Sequence, residues 1–361
     1  MKMRKIVCSF MISVVCFMTA ISGVSATSYD TSKINAAYSK VVEYCKNNNN
    51  LNNADKILAV ESLGLEAESN QFDTSSANLS STSLSKKIVT EVLLGVDPTK
   101  DKETLESQID ENGNVEGSWG ASSDVWTLYA LYVTSSEKTN LIANKLNDEL
   151  AASSVCGYEW GGTYYADYDT TGWVIEGLAV VNKEKYATTI NKAIDYIKNN
   201  TTMTTTGWVT ADNVDTQSQV LEGMFAYDTN ALLNDSYTVH PVDCLLNTQL
   251  SDGSFPSGYN AEYTTAEVAK TLGTYKNGSV IIKAKKAYDK MMNPEQPDNT
   301  KPAQPTDTKK DSQSTNKVET TNQKTTSVKT GDETNVVIFV SLSMVSGGLF
   351  LVLRKEYERV H

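Results

Sequence analysis

The sequence predicts an all-α protein, a ring of helical hairpins of the α/α toroid type. Three observations predict it: a repeat of about 47 residues, apolar residues at helical spacing, and little strand patterning. Segments 119–131, 160–178, 208–224 and 255–272 share a stretch rich in Gly or aromatic residues, a small or acidic residue, and an apolar run. With Ser122, Asp169, Asp215 and Tyr263 taken as equivalent, the spacings are 47, 46 and 48 residues. Two copies agree closely, since Asp169-Thr170 is followed by Glu176-Gly177 as Asp215-Thr216 is by Glu222-Gly223.

At the N-terminus, residues 1–26 read as a signal peptide, with three basic residues up to Lys5, an apolar run, and Val24-Ser25-Ala26 as the cleavage motif. Residues 28–292 form the expected toroid domain. Candidate helices at 31–45, 54–65, 82–96 and 102–108 precede the four repeats. A second helix in each unit is expected from segments such as 186–198, where Tyr186, Ile190, Ala193, Ile194 and Ile197 share one face. Asp169 and Asp215 stand where helix N-caps belong, with a side-chain oxygen able to accept from backbone N–H groups. The total is about twelve helices in six pairs. Residues 293–331 are polar and lack a core, so they predict a disordered spacer. Residues 336–353 are an uncharged apolar run long enough for a transmembrane helix, and the basic tail 354–361 predicts a cytoplasmic end. The expected location is the extracellular face of the cell envelope.

Composition narrows the function. The net charge of −12 argues against nucleic acid as a partner. Of five cysteines, two lie within 1–26, and the widely spaced Cys45, Cys156 and Cys244 leave at most one pair. His240 is the only histidine of the expected exported domain, so no structural metal is expected, and no cofactor.

Several segments carry a family resemblance: Gly95-Val96-Asp97-Pro98, Gln249-Leu250-Ser251-Asp252-Gly253-Ser254-Phe255, and the stretch from Asp169 through Gly172 and Glu176 to Leu178. On these the chain resembles the prenyltransferase and squalene-oxidase repeat proteins, and the resemblance implies six inner and six outer helices. Lys329-Thr330-Gly331-Asp332 resembles the end of a sortase sorting signal of Gram-positive surface proteins, which implies cleavage between Thr330 and Gly331 and attachment to peptidoglycan. That family has Leu-Pro where this chain has Ser327-Val328.

Three activities follow from the first resemblance. Protein prenyltransferases bind zinc late in the domain, where this chain offers His240, Asp243 and Cys244. Class II terpene cyclases use the middle carboxylic acid of an Asp-x-Asp-Asp-Thr motif, which Asp167-Tyr168-Asp169-Thr170-Thr171 matches in part, making Asp169 the one catalytic candidate. Cobalamin carriers line a ligand mouth with Asp-x-Asp-Thr helix starts, which Asn213-Val214-Asp215-Thr216 approaches.

The residues alone give a similar class of answer. Loops entering the inner helices would surround one opening with Trp119, Trp160, Tyr164, Tyr165, Tyr168, Trp208, Phe255 and Tyr259. The candidate ligand-binding residues are Trp160, Tyr165, Asp167, Asp169, Glu176, Trp208, Asp215 and Glu222. Such an acidic, aromatic wall suits a small molecule or a glycan. Equally, the carboxylates can cap and bond neighbouring helices while the aromatics fill the core. Ligand binding is the expected role, with a corrinoid-like molecule or a glycan as ligand. The alternatives are a cyclase- or prenyltransferase-like enzyme and an (α/α)6 polysaccharide-active enzyme.

Overall fold

A computed structural model describes residues 29–48, 51–68, 79–199 and 213–294. The predicted signal peptide, the spacer from residue 295 on, the 336–353 span, the basic tail, Thr330, Gly331 and Trp208 lie outside the described residues. Among those described, no helix is long and apolar enough to cross a membrane.

The described residues are mostly helical, as the periodicity predicts. In chain order the helices are α1 (Ser32–Asn47), α2 (Ala54–Ser62), α3 (Ser81–Leu93), α4 (Thr99–Ser107), α5 (Ala121–Val133) and α6 (Thr139–Ser153), then α7 (Tyr168–Asn199), α8 (Val214–Asn234), α9 (Pro241–Asn247), α10 (Ala261–Asn277) and α11 (Val280–Met292). A hairpin of β1 (Gly157–Trp160) and β2 (Thr163–Ala166) precedes α7. Two of the helices are really pairs. α7 breaks at Asn182 (φ −164°, ψ 91°), whose Oδ1 accepts from the Lys185 N–H, and α8 breaks at Asp228 in the same way, capping Ala231. Side-chain caps start other helices: Asn53 for α2, Ser80 for α3, Asn260 for α10 and Ser279 for α11.

Six helices contact one another in a cycle. α2 meets α3, α3 meets α5, α5 meets α7, α7 meets α8, α8 meets α10, and α10 meets α2. Outside them, α6 packs on α5 and α7, α9 on α8, and α1 on both α9 and α10. α11 touches four of the six, namely α2, α3, α5 and α10.

The repeat has a direct physical meaning in this packing, because equivalent positions of successive units meet across neighbouring helices. Trp126 and Trp173 are in ring contact at 5.8 Å, and the Gln219 amide donates to Glu267 at 3.1 Å. One turn further along, the Tyr129 hydroxyl donates to Glu176 at 3.0 Å, and Lys270 lies 3.9 Å from Glu222. Each layer therefore takes one residue from each of α5, α7, α8 and α10.

The helix starts differ from the sequence expectation. Asp167, not Asp169, caps α7: its Oδ1 accepts from the Thr170 N–H at 2.7 Å and its Oδ2 from the Thr170 hydroxyl at 2.8 Å. Asp215 lies one residue inside α8, is buried, and accepts from the Tyr259 hydroxyl. Both carboxylates stand two residues past the cap position and turn to the neighbouring element, Asp169 to the Thr216 side chain and Asp215 to the Tyr259 hydroxyl.

Candidate functional site

The hairpin carries the most exposed aromatic cluster among the described residues. Its register pairs Tyr158 with Tyr165 and Trp160 with Thr163. The turn is Gly161-Gly162, with φ of 58° and 79°, the left-handed geometry that a two-residue hairpin loop requires. The Glu159 N–H donates to the Trp119 carbonyl at 2.8 Å, tying the hairpin to the start of α5. Trp119 and Trp160 rings lie 5.4 Å apart, and Tyr158 stacks on Tyr165 at 5.5 Å. All four rings are exposed, as is Tyr164, whose hydroxyl donates to Glu149. Water-facing aromatic surface of this extent usually marks a contact site.

Beside the hairpin lie the acids at the starts of α7 and α8. Asp169 is half-buried and bonds the Thr216 side chain. Burial, then the charges of Asp167, Asp215 and Glu267, push its pKa up to about 8. Its carboxyl is therefore protonated at neutral pH. Burial and then the Asp215 charge raise the Tyr259 phenol well above its usual range, so Tyr259 stays a donor to Asp215.

Below this rim the helix interior is charged. Lys270, 3 % exposed, pairs with Glu267 at 2.9 Å and lies over the Trp126 ring; Lys86 pairs with Asp55 at 2.8 Å and lies over the same ring. Glu176 is buried between the Tyr129 and Ser279 hydroxyls, the latter at 2.6 Å, and burial raises its pKa. Burial also raises Glu222, which the Thr274 hydroxyl approaches at 3.4 Å.

The structure thus brings together Trp160, Tyr165, Asp167, Asp169 and Asp215 and sets Glu176 and Glu222 apart. The seven-residue step from Asp169 to Glu176 is about 10.5 Å along a helix, which carries Glu176 from the rim into the packed interior. Glu176 and Glu222 are buried, Glu176 against the hydroxyls of Tyr129 and Ser279 and Glu222 against Thr274 and Lys270. Phe255 is likewise fully buried, its backbone N–H held by Thr265. Sequence reasoning missed Tyr158 and the Asp55, Lys86, Glu267 and Lys270 charges. A Lys or Glu at a helix position otherwise apolar is the signal that could have found the last two.

Two of the residues of the zinc reading, His240 and Asp243, hold protein partners. His240 Nδ1 accepts from the Val242 N–H to cap α9, and Asp243 takes the Tyr29 hydroxyl and Lys33. Among the described residues no three His, Cys, Asp or Glu side chains are grouped as a metal would need. Cys45 and Cys156 are thiols whose pKa burial pushes up, Cys45 to about 11, so neither is a ready nucleophile. A cavity of about 240 Å³ lies elsewhere, between α1, α2 and α10, lined by Tyr44, Cys45, Leu51, Lys56 and Glu262 among others. It holds none of the rim acids.

Comparison of the chain with protein-family models, curated proteins and solved structures finds no match.

Asp169 makes a stability prediction. Its folded pKa of about 8 lies above the ordinary 3.8, so the folded state holds the proton longer, and stability falls as pH rises between these values. Asp169→Asn removes that loss. The variant is expected to be more stable by about 2 kcal/mol at pH 8 and no more stable at pH 4. Urea unfolding at both pH values measures it; a constant difference would show that Asp169 is not held protonated.

Proposed function

We propose that the cycle of helices is an α/α toroid and that the chain is a glycan-binding module on the extracellular face of the cell envelope. In this reading residues 1–26 export it, 336–353 anchor it in the membrane, and cleavage between Thr330 and Gly331 would link it to peptidoglycan. The exposed cluster of Trp119, Tyr158, Trp160 and Tyr165 beside the rim acids carries the reading. Flat aromatic faces take the C–H faces of sugar rings, and carboxyl groups alongside bond the hydroxyls. The interior argues against a cyclase, because a polyprene needs an apolar cavity and this axis is filled by Lys270, Glu267 and Glu222. A polysaccharide-active enzyme is the second reading, favoured by a protonated Asp169 near Asp215.

The test is binding of the full-length chain to an array of cell-wall and extracellular polysaccharides. Trp160→Ala and Tyr165→Ala are expected to weaken binding at least about tenfold, a loss of about 1.4 kcal/mol, with unchanged melting temperature since both rings are exposed. Binding unaffected by both changes would remove the hairpin from the site. Release of new reducing ends from a bound glycan would favour the enzyme.

A further inference from the structure

We infer that the hairpin takes a glycan chain rather than a single sugar, laid along one of its faces so that successive rings sit on Trp119 with Trp160 and on Tyr158 with Tyr165. The inference rests on the glycan reading above and adds the length of the ligand and the line it follows.

Successive side chains of a strand point to opposite faces, and directly paired residues share a face. The register pairs Tyr158 with Tyr165 and Trp160 with Thr163, so these four stand on one face while Glu159 and Tyr164 stand on the other. Trp119 joins the first face through its ring contact with Trp160. Tyr164 is exposed as well, but it belongs to the opposite face, and its hydroxyl donates to Glu149 of α6. Four of the five exposed rings of the cluster are thus gathered on one side.

Those four rings form two pairs. Trp119 and Trp160 meet at 54°, whereas Tyr158 and Tyr165 lie nearly parallel, 20° apart with centroids at 5.5 Å. That is contact distance for an aromatic pair, so a sugar reaches the outward surface of each pair and does not enter between its rings. Two residues of strand, about 6.8 Å, separate Trp160 from Tyr158, a step on the scale of one sugar ring to the next. Thr163 adds an exposed hydroxyl to the same face. The tyrosine pair lies at the end of the hairpin where Gly157 pairs with Ala166, and Asp167 follows there to cap α7. A chain running from Trp160 to Tyr158 therefore leads towards Asp167.

Two seats on one rigid strand pair favour a linked ligand. Once the first sugar is seated, the second arrives at high local concentration and without a further loss of translational freedom.

The experiment titrates the full-length chain with glucose, cellobiose and cellotetraose, and with N-acetylglucosamine, its dimer and its tetramer. In at least one of the two series the tetramer is expected to bind at least about tenfold more tightly than the monomer. Trp119→Ala and Tyr158→Ala each remove part of one seat. Either is expected to bring the tetramer within about threefold of the monomer, while monomer binding, served by the seat that remains, changes less than about twofold. Tyr164→Ala, on the opposite face, is expected to leave every affinity unchanged, and thermal melts check that the variants are folded. A monomer that binds as tightly as its tetramer overturns the inference and leaves the glycan reading standing. So does a tetramer weakened by Tyr164→Ala as much as by Trp119→Ala, which would put the chain off this face. Binding of neither series overturns the inference, and a polysaccharide array that is also blank overturns the glycan reading.

Discussion

Gly223→Ala is expected to destabilise the chain by about 3 kcal/mol, because α7 and α8 cross backbone to backbone at this residue. A Cβ on Gly223 would lie 2.2 Å from the Gly172 carbonyl oxygen, and one on Gly172 would lie 2.4 Å from that of Gln219. Neither oxygen can rotate away; the helices must part. Parting them opens the layers in which Trp126 meets Trp173 and Gln219 meets Glu267. Alanine's better helix propensity returns no more than about 1 kcal/mol. Gly177→Ala is the control, since its Cβ would meet the Leu128 Cδ2 at 3.1 Å, a side-chain tip that can shift. Its clash and propensity terms nearly cancel, and a change under about 1 kcal/mol is expected. At about 2 to 4 °C per kcal/mol, the Gly223 variant melts roughly 6 to 12 °C below the parent. If both variants melt together, the close crossing of α7 and α8 is wrong.

That crossing was partly legible in the sequence. The repeated Glu-Gly steps at 176–177 and 222–223 were visible, and so was the period that brings Tyr129 to Glu176. Periodicity gave the helices because a 3.6-residue spacing of apolar residues reports one buried face. The hairpin went unread as strand, although Gly161-Gly162 between Gly157-Tyr158-Glu159-Trp160 and Thr163-Tyr164-Tyr165 is a recognisable turn signal. Its four-residue strands were absorbed into the loop before α7. Asp169 was legible as a notable acid, but cap and interior positions differ by two residues, and only coordinates separate Asp167 from Asp169. Depth was not legible at all. Seven residues of helix hide Glu176 from the rim, and sequence spacing records the shared face without recording where the opening ends.

The charged interior supplies the other large effect. Lys270 is buried with Glu267 at 2.9 Å, Glu222 at 3.9 Å and the Trp126 ring. Burial alone would lower its pKa, but Glu267, Glu222 and Asp55 outweigh that and hold the ammonium charged. Lys270→Met keeps the unbranched stem, one atom shorter, and removes the charge, leaving Glu267 and Glu222 without their shared cation in the interior. Breaking a buried pair in this way costs about 3 to 5 kcal/mol. The loss is expected to be greatest near pH 8. Burial already raises Glu222, and without the Lys270 charge that opposes this, Glu222 holds its proton more tightly still when folded than when unfolded, so stability recovers as pH falls towards its ordinary range. Lys270→Met with Glu267→Gln should regain part of the loss, because the amide needs no counter-charge; the shortfall from additivity measures the pair. Urea unfolding of the single and double variants at pH 8 and pH 5 tests this. A single variant within 1 kcal/mol of the parent at pH 8 would mean that water reaches Lys270 and that the interior is open.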